Sequence, residues 1–144
     1  MGSGADGIIF CFASLPGNRL LAGGSFLTIG GVTARNAAVW DGTSWTPFTS
    51  LAFSDAIYSI LALPNGHLIF AGKFASLGAN LVNRIVKWDG TAWTTLSNTT
   101  GQFGATGTIW ATCLRPNGDL FVGGGFLRVG GFGPYLGQIG RAHV

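Results

Sequence analysis

A hexapeptide recurs in this chain: WDGTSW over Trp40 to Trp45 returns as WDGTAW over Trp88 to Trp93, 48 positions on. Upstream, LPGNRLLAGGSF (Leu15 to Phe26) matches LPNGHLIFAGKF (Leu63 to Phe74) at the same shift, and RPNGDLFVGGGF (Arg115 to Phe126) follows after 52. Ile9-Phe10, Ile57-Tyr58 and Ile109-Trp110 hold one repeat position ahead of these segments. A period of this length marks an array of small units, each unable to bury its own apolar surface and each relying on its neighbours to do so. No other feature restricts the possible folds as much.

Within a unit the signals alternate strand and turn. Ile57 to Leu63 is apolar and β-prone, Pro64-Asn65-Gly66 is a turn, and His67 to Phe74 reads as a second strand, which makes one hairpin. A glycine-containing loop, Ala75 to Val82, leads to a third strand over Arg84 to Trp88. Asp89-Gly90 then turns the chain into a short fourth strand beginning near Trp93. Four strands in about 45 residues describe the blade of a β-propeller. The expected organisation is an N-terminal stub at 1–6, blades at 7–54 and 55–106, and a partial blade at 107–138.

Composition agrees with an all-β chain. Of 144 residues 47% are hydrophobic and 9% charged, Glu is absent, and 25 glycines accompany 11 Phe and 5 Trp, a mixture suited to short strands, tight turns and aromatic packing. The formal charge of +3 comes from eight scattered Lys and Arg. No cluster follows a phosphate backbone or an anionic surface, so nucleic-acid binding is not expected. The residues after Met1, Gly-Ser-Gly-Ala-Asp, have neither the basic start nor the apolar run of a signal or membrane helix, and membrane insertion is not expected. Cys11 and Cys113 lack metal-ligand spacing and fall at different repeat positions, so each reads as a buried thiol.

The pattern GGSF, then AAVWDGTSW, resembles the repeats of kelch-like and galactose-oxidase-like β-propellers. It is closer still to the GG-x-F…WDG-x-x-W repeats of large secreted or surface bacterial proteins and of fungal cortical polarity proteins. The likeness spans about Gly7 to Gly137. It implies about two and a half blades of an incomplete ring, in a larger extracellular or cell-surface protein whose missing blades belong to the same parent chain. It also implies a non-enzymatic binding or scaffolding module with a protein or glycan partner. The alternative is part of a propeller enzyme or its carbohydrate-binding accessory domain.

Individual residues carry little chemistry. Trp40 and Trp45, like Trp88 and Trp93, should face each other across a hairpin as an aromatic clasp, or else offer a stacking platform to a ligand. Asp41 and Asp89 precede glycine in a turn, where a short acceptor bonds its own backbone. Gly23-Gly24, Ala71-Gly72 and Gly123-Gly124 point to close backbone packing rather than a phosphate cradle. Arg19, His67 and Asp119 share one repeat position, which is therefore expected to face solvent. The inventory of five Asp, His67 and His143 yields no catalytic set, metal cluster or cofactor site, and a copper-radical oxidase would need Tyr, His and Cys ligands that match no motif here. Asn98-Thr99-Thr100 is a glycosylation sequon.

The repeat loses register near Gln138. Fourteen residues separate Phe26 from Trp40 and Phe74 from Trp88, but the same count from Phe126 lands on Gly140. The ending Ile139-Gly-Arg-Ala-His-Val144 is the translation of a common short-read sequencing adapter, AGATCGGAAGAGCACACGTC then TGA, whose leading bases complete a preceding codon compatible with Gln138. Residues 139–144 are accordingly read as translated adapter, with the natural frame expected to continue into a third Trp-Asp-Gly hairpin. Recovery of the locus from genomic DNA tests this, and an uninterrupted gene ending in those codons would overturn it.

Overall fold

The computed structural model describes residues 3–96, 104–126 and 139–143. The first repeat contributes β1 (Ile8–Leu15), β2 (Arg19–Ser25), β3 (Thr28–Ile29), β4 (Val32–Thr33), β5 (Ala37–Trp40) and β6 (Trp45–Pro47). Four of these form an antiparallel sheet in the order β1-β2-β5-β6, while β3 and β4 pair as a separate small hairpin. The second repeat copies the arrangement with β7 (Ile57–Ala62), β8 (Leu68–Gly72), β9 (Ser76–Leu77), β10 (Asn80–Leu81), β11 (Ile85–Trp88) and β12 (Trp93–Thr95). The third places β13 (Thr108–Leu114), β14 (Asp119–Gly125) and β15 (Ile139–His143) in a three-stranded antiparallel sheet. The fold is all-β, with no helix among the described residues.

Two features within the repeats differ from the sequence reading. The segment read as a plain loop, Ala75 to Val82, contains the β9–β10 hairpin, and its counterpart β3–β4 turns through Gly30 and Gly31 at φ of 60° and 82°. The third strand also starts at Ile85 rather than Arg84, because Asn83 and Arg84 occupy left-handed conformations at φ of 48° and 71°. Arg35 and Asn36 do the same at 49° and 79°. Asn tolerates this region through its short polar side chain and Arg does not, so the turn is held from outside. Asn36 supplies part of that hold: its Oδ1 accepts the Phe26 N–H at 2.9 Å, and its Nδ2 donates to the Asp55 carbonyl of the next repeat at 3.1 Å.

The sheets pack face against face. β8 is buried at all five of its residues. Side chains alternate across a strand, so Leu68 and Phe70 join Leu21, Ala37 and Val39 of the first sheet, whereas Ile69 and Ala71 join Ile109, Leu120 and Val122 of the third. A strand covered on both faces needs an unbroken apolar run, which is why LIFAG lacks polar alternation. Each of the buried Leu, Ile, Val and Phe side chains contributes about 1.5–3 kcal/mol. Between the first two sheets, Phe53, Phe70, Phe74 and Trp93 form an aromatic cluster with ring centroids 4.9–5.8 Å apart.

The third repeat departs from the pattern. Leu20 pairs with Trp40 and Leu68 with Trp88, but Leu120 pairs with Ala142, so Gly140 lies opposite Val122 and β15 sits two residues out of the repeat's register. Pairing also runs on to Asp119 and His143, beyond the point where β2 and β5 stop. Asp119 is consequently buried rather than facing solvent as expected, and Asn117 Nδ2 donates to its Oδ2 at 2.9 Å. Cys113, expected to be buried, is exposed, because it lies off the inter-sheet core to which the other face of β13 contributes Ile109. The sequon at Asn98 and the break near Gln138 lie outside the described residues.

Candidate functional site

The glycine pairs explain a distortion that the sequence does not announce. In every sheet the pairing of the first two strands slips by one residue at the same repeat position, between Ile9 and Cys11, between Ile57 and Ser59, and between Ile109 and Ala111. Opposite each slip lies the second glycine of the pair. A Cβ at Gly24 would run into the Ile8 carbonyl, one at Gly72 into the Ala56 carbonyl and one at Gly124 into the Thr108 carbonyl. Absence of that carbon lets the first strand press against the second and accommodate an extra residue as a β-bulge.

The extra residue is aromatic each time: Phe10, Tyr58 and Trp110. Bulges re-aim side chains, and none of these three joins a core cluster. Phe10 is 43% exposed and Trp110 57%, with Tyr58 half-buried. Strand β1 lies against β7 and β7 against β13, so the three bulges follow one another along adjoining strands. Phe10 and Tyr58 meet edge to face with centroids 4.7 Å apart. Beside them, the hydroxyls of Ser59 and Thr112 hydrogen-bond at 2.7 Å. The shared aromatic position was visible in the sequence; its exposure and its bulge were not.

The tryptophans marked as a possible ligand platform form the expected cross-strand pairs. Trp40 pairs with Trp45 and Trp88 with Trp93, with ring centroids 5.4 and 4.9 Å apart. All four are half-buried. Trp45 packs on the cluster of Phe26, Ile29 and Ala38, and Trp88 and Trp93 pack on the core between the first two sheets. Packing of this kind accounts for the clasp. Part of each residue remains in solvent.

Between each tryptophan pair the aspartate works as a turn acceptor. Asp41 Oδ1 accepts the N–H groups of Thr43 and Ser44, both at 2.8 Å, and Asp89 Oδ1 accepts those of Thr91 and Ala92 at 2.8 and 2.7 Å. Gly42 and Gly90 complete the turns at φ of 104° and 102°. These backbone donors hold both carboxyls down at a pKa of about 2. Asp6 is similarly engaged: its Oδ1 accepts the Leu27 and Thr28 N–H groups, a role that Ser54 Oγ fills for Ala75 and Ser76 in the second repeat.

At the end of the sheets carrying these loops, a cleft of about 570 Å³ opens in the first repeat, lined in part by Asp6, Arg35, Asn36 and Phe53. His67 lies elsewhere, half-buried by its turn, with Nδ1 3.3 Å from Asn65 Nδ2. The Cys11 thiol faces the Gly23 carbonyl, and burial pushes its pKa up to about 11. Among the described residues, no three of His, Cys, Asp and Glu come together as a metal site would require. No protein-family model, curated protein or solved structure matches the chain.

Proposed function

We propose that the chain is a non-enzymatic binding or scaffolding module built from successive β-propeller blades of the GG-x-F…WDG-x-x-W type, in a larger extracellular or cell-surface protein. One observation carries the non-enzymatic part: the carboxylates are engaged in structure. Asp41, Asp55 and Asp89 each accept backbone N–H groups of their own turn or loop, and Asp6 accepts those of Leu27 and Thr28 across the first repeat. Such hydrogen bonds favour the ionised form and leave these groups poorly suited to protonate a substrate near neutral pH. The blade reading is supported by the recurrence of one four-stranded pattern and by the face-to-face stacking of its copies. The surface location rests on the repeat's resemblance alone.

Screening the chain on glycan and protein arrays, with calorimetry on each hit, tests the proposal. Saturable binding with the partner recovered unchanged is expected. Chemical conversion of a bound partner, lost on Asp6→Asn or His67→Ala, would overturn it.

A further inference from the structure

We infer that the row of bulge aromatics, Phe10, Tyr58 and Trp110, is a binding site for an uncharged oligosaccharide. The inference rests on the reading of the chain as a binding module and names the class of ligand. It starts from a contrast between two repeat positions. The buried aromatic after the glycine pair is Phe in all three repeats, Phe26, Phe74 and Phe126. A closely packed interior tolerates few changes of volume, so a single residue type fits there. At the bulge the residue changes from Phe to Tyr to Trp, spanning a wide range of volume and polarity, and only the aromatic ring is retained. Core packing does not fix the identity of these rings, since Phe10 and Trp110 are 43% and 57% exposed and none of the three joins a core cluster. What the position preserves is an accessible π surface.

The chemistry around the row selects the ligand. Strands β1, β7 and β13, which present the rings, read IIFCFASL, IYSILA and TIWATCL and contain no Asp, Glu, Lys, Arg or His. An ionic ligand laid along them would lose hydration without gaining a counter-charge. The clefts beside Asp6 and Phe53, beside Leu63 and Arg115, and beside Leu77 and Trp93 are lined by other residues than these three aromatics. A neutral sugar chain suits an open edge of rings: its C–H faces meet the negative faces of the aromatic quadrupoles, and its hydroxyls find polar partners at hand. In the Ser59–Thr112 pair one O–H serves the mutual bond, and the other is engaged by no acceptor among the described residues.

The test is calorimetric titration of the full chain with neutral hexasaccharides of glucose, mannose and xylose, alongside the anionic saccharides heparin and oligogalacturonate. At least one neutral hexasaccharide is expected to bind, with affinity at least tenfold lower in Trp110→Ala and within about threefold of the original in Trp110→Phe. The control Leu27→Ser, exposed and away from the row, should bind as the original does. Circular dichroism verifies that each variant is folded. Failure of every neutral sugar to bind, tighter binding of the anionic ones, or binding unchanged by Trp110→Ala would each overturn the site. Capture of a defined protein partner without any saccharide would also overturn it, while leaving the binding-module reading standing.

Discussion

The first and second sheets carry the same strands in the same order, yet equivalent residues have opposite fates. Ile60 of the second sheet is 8% exposed, while its counterpart Phe12 in the first is 53% exposed. Ala56 is 3% exposed and its counterpart Ile8 is 61%. Local sequence does not account for this, because the exposed members are the larger apolar residues. The second sheet has the first on one side and the third on the other, whereas among the described residues no sheet lies against this face of the first. Burial in a repeat array is a property of position in the stack.

The sharpest way to break this comparison is to truncate one phenylalanine on each of the two sheets. Phe70→Ala, in the aromatic cluster between sheets, should cost about 3–5 kcal/mol. Phe12→Ala should stay within about 0.5 kcal/mol, as expected of exposed side chains. Urea denaturation of both variants measures the difference, and equal losses would mean that the face bearing Phe12 is covered in solution. Next in size, Gly72→Ala puts a methyl against the Ala56 carbonyl and should cost about 1–3 kcal/mol through forced backbone movement. A neutral effect in the same denaturation would show that the bulge does not depend on the missing Cβ.

The link between the first two repeats is smaller. Asn36→Ala removes the hydrogen bonds to Phe26 and Asp55 and should lower stability by about 1–2 kcal/mol, part of it from strain at positive φ. Asn36→Gly removes the same bonds without the strain and should lose less.

Acid sensitivity follows from the turns. Asp41 and Asp89 have folded pKa values lowered from 3.8 to about 2, so the stability they contribute is present above the unfolded value and is lost as pH falls through the folded one. The melting temperature should therefore decline between about pH 4 and pH 2, and a double Asp41→Asn, Asp89→Asn variant should show a shallower decline. Equal slopes would locate the sensitivity elsewhere. Smallest in energy but easiest to read is thiol reactivity: Cys113, exposed, should react with an aromatic disulfide reagent well before Cys11, whose thiolate is disfavoured by burial. Simultaneous labelling would show that the first two sheets separate readily.

Much of this was written in short-range chemistry. The period, the hairpin at Pro64-Asn65-Gly66, the Asp-Gly turns and the facing tryptophans depend on residues close along the chain, and the sequence alone determined them along with the all-β class. The small residues at Gly23-Gly24 and their equivalents announced close packing, though not the bulge that it permits. Tertiary structure alone decided which copies of a repeat position are covered, as Phe12 and Ile60 show, and it buried Asp119 while exposing Cys113. It also decided that Phe10, Tyr58 and Trp110 lie along adjoining strands as a row. Turns close over a few residues and can be read where they stand, whereas burial and adjacency depend on groups about fifty positions away, whose arrangement no local pattern encodes.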